Sequence, residues 1–181
     1  MDEIIIDGTN GAGKTTLIEY LNKNIDNSIY YQPFRIDNVF ESWKKNPLDA
    51  ATRIHNVTEK CRKEALSKGI KLLIWDRAWP TVFVSTNNID SRNIMNKNIF
   101  TLLLLSNSKA TVKSLDRYEE KNKTKVIPKQ AANIKEINYW INAYYNLSNE
   151  VKNMENVVVL DATNYINLEE TLNLVKERLG Y

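Results

Sequence analysis

The chain has 181 residues, 43% of them apolar and 26% charged, which suits one domain with a sizeable core and excludes disordered, collagen-like or disulfide-scaffold chains. Twenty-five Lys and Arg against 22 Asp and Glu leave a net charge of +3, too mild and too evenly spread for a surface that coats nucleic acid but compatible with small anionic ligands. The single Cys61 excludes an internal disulfide; with no leader pattern at the start and no apolar run approaching a membrane span, the expected setting is the cytoplasm, with neither membrane nor stable nucleic-acid partner.

Short apolar runs alternate with longer amphipathic stretches, the pattern of strand and helix units in a parallel sheet. Ile4-Ile5-Ile6 reads as the first strand; a glycine cluster follows, then a helix over Lys14 to Asn24 with Leu17, Ile18 and Leu21 at helical spacing. Ser28 to Tyr31 is a second strand ending at Gln32-Pro33, and Asp37 to Lys45 reads as a short helix. Asn46-Pro47 has the form of an N-cap with proline at the first helical position, opening a helix that carries Ala51, Ile54, Val57, Cys61 and Ala65 on one face and closes at Gly69.

Ile70 to Trp75 is the third strand, ending at Asp76-Arg77, and Ile99 to Leu105 is the fourth; the segment between them reads as polar and short. A helix is expected from Ser108 to about Tyr118, then a lysine-rich loop, Lys121 to Lys129, within a lid at about 117–130. Ala131 to Met154 reads as a long amphipathic helix whose Trp140, Tyr144 and Tyr145 belong to its core face. Val157 to Leu160 is the fifth strand, and Leu168 to Leu179 a last helix with Asn167 as its N-cap. The expected architecture is a single α/β domain over 1–181, a three-layer αβα sandwich around a five-stranded parallel sheet, with no internal repeat or linker.

Five glycines occur in the whole chain, and three fall within six residues. Gly8-Thr9-Asn10-Gly11-Ala12-Gly13-Lys14-Thr15 fits G-x-x-x-x-G-K-[ST] between a strand and a helix, as a phosphate loop requires. Its backbone N–H groups must turn inward around phosphate oxygens, which glycine permits and side chains obstruct. Lys14 is then placed for the β- and γ-phosphates and Thr15 for Mg²⁺, with the N-terminal dipole of the following helix adding to the field. Asp76, at the carboxyl end of a buried strand, is the candidate second metal ligand, with Arg77 beside it for the transferred group. No N-K-x-D guanine-reading motif occurs, and a small kinase of P-loop type fits best.

Four stretches resemble the thymidylate kinases within the nucleoside monophosphate kinase group. Ile6-Asp7-Gly8-Thr9-Asn10-Gly11-Ala12-Gly13-Lys14-Thr15-Thr16 is similar to that family's phosphate loop, including the acid before the first glycine. Ala50-Ala51-Thr52-Arg53-Ile54-His55 resembles its A-A-x-R segment, Trp75-Asp76-Arg77 its D-R pair, and Val157 to Thr163 its last strand and adenine-side loop, where Ala162 lies. The resemblance implies transfer of the γ-phosphoryl group of MgATP to the 5′-phosphate of a deoxynucleoside monophosphate, dTMP first. It implies that Gly8, Asn10, Gly11, Ala12, Gly13, Lys14, Thr15, Thr16 and Ala162 bind ATP. Asn10, Arg35, Arg53, Arg77 and Thr81 would bind the acceptor, Arg53 by reading the base and Arg35 by holding its phosphate, and Arg117 would close over ATP from the lid. A homodimer is left open.

The chain departs from the family's pattern at several positions. Asn10 replaces an acid placed for the sugar 3′-hydroxyl, Tyr31-Gln32-Pro33 replaces R-E-P, Asp49 replaces an aromatic, and Ala78 replaces a tyrosine. Phe34, Phe40, Trp43 and Trp79 are candidate substitutes for that aromatic. These differences keep two further readings open: a kinase acting on a nucleoside, a modified pyrimidine nucleotide or a polynucleotide 5′ end, and a non-catalytic nucleotide-binding regulator.

Overall fold

Strand β1 (Asp2–Gly8) has Ile4, Ile5 and Ile6 fully buried, as a β-branched run does when both faces of its sheet are covered. The computed structural model describes residues 1–37, 39, 42, 45–86, 99–113 and 134–181. After β1 come helix α1 (Lys14–Asn24), strand β2 (Ser28–Tyr31), a 3-10 turn (Pro33–Arg35), helix α2 (Pro47–Ser67) and strand β3 (Leu72–Asp76). Helix α3 (Trp79–Thr86), strand β4 (Phe100–Leu105), helix α4 (Ile134–Val151), strand β5 (Val157–Asp161) and helix α5 (Leu168–Leu179) complete the order.

The five strands form one sheet in the order β2-β3-β1-β4-β5, each neighbouring pair parallel. One face packs Ile5, Leu73, Trp75, Leu103 and Leu105 against residues of α2, α3 and α4; the other packs Ile4, Ile6, Ile74, Leu102 and Leu104 against α1 and α5. The expected three layers therefore form. From β1 the chain runs to one edge of the sheet and from β3 to the other, so the crevice outside the carboxyl end of β1 is a topological switch point, where open α/β sheets bind ligands.

The local end signals hold. Asn46 accepts a hydrogen bond from the Asp49 N–H with Pro47 at the first helical position of α2, and Asn167 accepts from the Glu170 N–H at the start of α5. At the other end of α2, Gly69 is left-handed at φ +68°. Its N–H bonds the Leu66 carbonyl while the Ile70 N–H bonds that of Ala65, the paired 6→1 and 5→2 closure of a Schellman motif.

Several expectations are corrected. The segment after β3 is not simply a polar connection: it opens with α3, whose Val82, Phe83 and Val84 are buried. Helix α4 ends at Val151, three residues short of the expected Met154, and Tyr145 on it is substantially exposed rather than core. Of the helix expected over 37–45, Asp37 is a turn residue at φ +51° rather than helical, and Val39, Ser42 and Lys45 are described and helical. Phe40, Trp43, Arg117 and the lid at about 117–130 lie outside the described residues. Among the described residues, no helix is long and apolar enough to cross a membrane.

Candidate active site

The phosphate loop leaves β1 at Gly8, whose φ of +133° is closed to L side chains and where an added Cβ would stand 1.9 Å from the Leu104 carbonyl oxygen. Glycine is thus demanded twice, by conformation and by the approach of β4. Gly11 and Gly13 also have positive φ. Gly13 is the N-cap of α1 and offers no side chain to it, so the first-turn amides and the helix dipole are left for an anion. Thr15 and Thr16 stand exposed on that turn. Lys14 is buried, and its Nζ donates to the carbonyls of Gly8 and Thr9 at 3.1 and 2.6 Å, which folds the ammonium into the loop.

A hydroxyl cluster braces the loop from behind. Thr9 Oγ1 lies 2.8 Å from Ser106 Oγ and accepts from the Ser106 N–H, Ser106 Oγ lies 3.0 Å from Thr111 Oγ1, and Thr111 donates to the Asn10 carbonyl at 2.8 Å. Ser106 and Thr111 follow β4 directly, so the strand beside β1 fixes the loop apex.

On the other side of β1, β3 pairs Asp76 with Ile6 and delivers it half-buried to the same end of the sheet. Asp76 Oδ2 accepts from Gln32 Nε2 at 2.6 Å. Arg77 is a non-glycine residue at φ +66° whose N–H bonds the Ile6 carbonyl. Such backbone strain persists only where the surroundings impose it. The side chain shows what they impose: Nη2 donates to Asn10 Oδ1 at 2.6 Å, and Nη1 lies within bonding distance of the Gly8 carbonyl, Thr81 Oγ1 and the Tyr144 hydroxyl.

The centre of these contacts is Asp7, whose side chain is entirely buried. Oδ1 accepts from the Gly8 N–H and the Tyr144 hydroxyl, Oδ2 from the N–H groups of Ala78 and Thr81, and the Thr81 hydroxyl reaches both oxygens at 2.9 Å. Arg77 Nη1 lies 3.5 Å from Oδ1. A buried carboxylate is tolerable only with this degree of hydrogen bonding and a nearby cation, and it also caps the N-terminus of α3.

These charges reshape the site's acid–base character. Burial, followed by the Arg77 charge, lowers Lys14 to about 7, with Asp7 and Asp76 acting in the opposite sense. Burial, followed by the Asp7 charge, pushes the Tyr144 phenol strongly upward, which keeps its proton on the oxygen.

The donors available for Mg²⁺ are oxygens: the exposed Thr15 hydroxyl and the Asp76 carboxylate, whose Oδ1 is left over by Gln32. Among the described residues, no cluster of three or more His, Cys, Asp or Glu that could hold a metal occurs. Mg²⁺ binds through one or two carboxylates with water and substrate phosphates, and Thr15 and Asp76 are the oxygen donors that could take part.

The structure thus brings Gly8, Asn10, Gly11, Gly13, Lys14, Asp76, Arg77 and Thr81 to one place. Ala12 and Ala162 are buried in the same apolar cluster beside α1. Arg35 stands exposed on the 3-10 turn after β2, and Arg53, half exposed on α2, is held by Asp49 through an Nε–Oδ2 contact of 2.9 Å. His55 is exposed on that helix. Trp79 and Phe34 are buried in the core, which removes both as stacking surfaces for a base. In the sequence Asp7 stands out only as the acid before the first glycine, Gln32 only as part of the triplet that replaces R-E-P, and Tyr144 as a core position, while Ser106 and Thr111 have no distinguishing pattern. Asp7 carries a signal as an acid closing an otherwise apolar run beside the loop, and Gln32 one as the amide at the centre of the altered triplet.

No family model matches the chain, and no curated protein does. Among solved structures it is similar to a deoxyadenosine kinase from M. mycoides with bound dATP, at a TM-score of 0.60 and 18% identity over 100% of each chain. The same enzyme with the products dCMP and a flexible dCDP gives 0.55 and 16% over 98% of each chain, and with bound dCTP 0.56 and 14% over 98%. The chain therefore has the α/β fold of the P-loop kinases. The structural likeness reaches that broader fold and not the thymidylate kinases in particular.

Proposed function

We propose that this chain is a phosphotransferase that moves the γ-phosphoryl group of MgATP to a deoxynucleoside monophosphate or a deoxynucleoside. The observation that carries this reading is the convergence of Lys14, Arg77 and Asp76 on the Gly8 loop at the switch point of the sheet. Phosphoryl transfer depends on positioning and charge stabilisation more than on covalent chemistry by the protein. Lys14 faces the β- and γ-phosphates, Arg77 spans acceptor and transferred group, and Asn10 meets the acceptor sugar while holding Arg77. Thr15 and Asp76 would hold Mg²⁺, which supplies neutralisation of the phosphate oxygens. Arg35 and Arg53 serve the acceptor's phosphate and base.

The first acceptor is dTMP, supported by the order of the four family-like stretches. A deoxynucleoside acceptor is the second reading, supported by the deoxyadenosine kinase structures and by Asp76, a carboxylate able to take the proton from a 5′-hydroxyl. The test is a panel of deoxynucleosides and deoxynucleoside monophosphates with MgATP, read by separation of products. Formation of dTDP from dTMP supports the first reading, and a monophosphate formed from a deoxynucleoside supports the second. ATP binding with no product from any acceptor would overturn both in favour of a binding protein.

A further inference from the structure

The hydrogen atoms around Asp7 can be counted. Two hydroxyl groups, those of Thr81 and Tyr144, lie 2.8 Å apart, and each lies 2.9 Å from Asp7 Oδ1. An ionised carboxylate only accepts and each hydroxyl has a single hydrogen, so one hydroxyl donates to Asp7 and the other either does the same or donates across the 2.8 Å contact; in both arrangements each oxygen keeps a lone pair for a further donor. Both lone-pair sites face Arg77 Nη1, at 3.2 Å from Thr81 and 3.1 Å from Tyr144. The chain of bonds is therefore polarised in one direction, from the guanidinium through two hydroxyls to the buried charge, and chains aligned in this way strengthen one another. Its effect on Arg77 is geometric: with Nη1 held from below, Nη2 is presented to Asn10 at 2.6 Å.

Tyr144 differs from the other members in its origin. Asp7, Gly8, Asn10, Arg77 and Thr81 all lie at the carboxyl ends of β1 and β3 or just beyond them, whereas Tyr144 comes from the middle of α4 and is 2% exposed. Helix α4 packs against α3 and lies across one face of the sheet. Tyr144 thus brings α4 into contact with the arginine of the site.

We propose that Tyr144 is a positioning residue that fixes the orientation of the Arg77 guanidinium toward Asn10 and so ties the placement of helix α4 to the site. Its consequence for turnover rests on the phosphotransferase reading; its consequence for Arg77 does not. Replacing the phenol by a phenyl ring keeps the packing of α4, removes one of the three acceptors around Nη1, with the Gly8 carbonyl and Thr81 Oγ1 remaining, and removes one of the donors to Asp7.

The test separates the two consequences. In the intact protein, nitrogen-15 spectra of the arginine side chains should show Arg77 Nη1 and Nη2 as distinct signals, the mark of hindered rotation about Nε–Cζ, and proton spectra should show a slowly exchanging Tyr144 hydroxyl. In Tyr144→Phe the two Nη signals should merge while circular dichroism stays unchanged. With whichever acceptor is turned over, kcat should fall on the order of 10- to 100-fold, as misplacement of a positioned group does, while the KM for ATP moves less than about threefold. Tyr145→Phe, on the exposed side of α4, should leave both readouts unchanged. Merged Nη signals or no Tyr144 hydroxyl proton in the intact protein, or distinct Nη signals persisting in Tyr144→Phe, would overturn the proposal even if Tyr144→Phe folds poorly. Absence of turnover by the unsubstituted protein, with the spectra as expected, would overturn the phosphotransferase reading and leave the Arg77 assignment supported.

Discussion

Gln32 donates its side-chain amide to Asp76 Oδ2 at 2.6 Å, joining the residue after β2 to the last residue of β3. The bond aims the candidate metal carboxylate, leaving Oδ1 as the free oxygen. Asp76→Asn is expected to lower kcat by about 100-fold or more, since it weakens the hold on the metal that neutralises transferred charge. Gln32→Glu places a second carboxylate against the first, and like charges that close share a proton. The rate at pH 6 relative to pH 8 should then fall further in Gln32→Glu than in the unsubstituted protein; identical pH profiles would count against the aiming role.

Gly8 and Gly180 make a matched pair for the cost of a side chain at positive φ. Both are left-handed or beyond, but a Cβ on Gly8 meets the Leu104 backbone at 1.9 Å while one on Gly180 meets nothing within 4 Å. Gly8→Ala should cost about 3 kcal/mol or more and Gly180→Ala about 1 kcal/mol, because only the first must displace a neighbouring strand. Urea unfolding of both variants measures the difference, and equal costs would contradict the steric account.

Lys14 makes stability depend on pH with a definite sign. Its folded value of about 7 lies below the ordinary 10.5, so between these values the unfolded chain binds a proton that the folded chain does not. Stability should therefore rise with pH across that window, by up to about 1.4 kcal/mol per unit from this group. Comparing urea midpoints of the unsubstituted protein and Lys14→Met at pH 7, 8 and 9 isolates the contribution: the stability of the unsubstituted protein relative to Lys14→Met should rise with pH. A bound polyphosphate favours the charged lysine, so ATP binding in EDTA at pH 8 should take up protons, seen as a dependence of the calorimetric heat on buffer ionisation enthalpy.

Arg53 tests the acceptor side. It is half exposed and paired with Asp49 one turn away, so Arg53→Ala should change stability by less than about 0.5 kcal/mol. The KM for the acceptor should rise by about tenfold and the KM for ATP by less than about twofold, the split expected when a group contacts one substrate only. Equal rises in both would contradict the base-reading role.

Features set by neighbours in the chain were legible before folding was considered. Helix α1 occupies the 14–24 expected from Leu17, Ile18 and Leu21, β2 the expected 28–31, and α5 the expected 168–179 behind Asn167. The phosphate loop was equally plain, since its glycines, lysine and threonine act within a few residues of one another. Helix α3 was not: its N-terminal amides are capped by Asp7, 71 and 74 positions earlier in the chain, so no capping residue stands before Trp79 to announce it. Tyr144 was hidden in the same way, as an aromatic at a core position whose hydroxyl has a partner 137 residues away.

The sequence by itself determined where most strands and helices lie and that Gly8 to Thr15 has the pattern of a phosphate loop, because periodicity, capping and glycine freedom act over a few residues. Only the tertiary structure decided which side chains share the site. The order β2-β3-β1-β4-β5 sets β3 and β4 on either side of β1, so Asp76 and Arg77 arrive from one neighbour and Ser106 and Thr111 from the other. Those meetings depend on burying both faces of the sheet at once, a condition that no local stretch of residues contains.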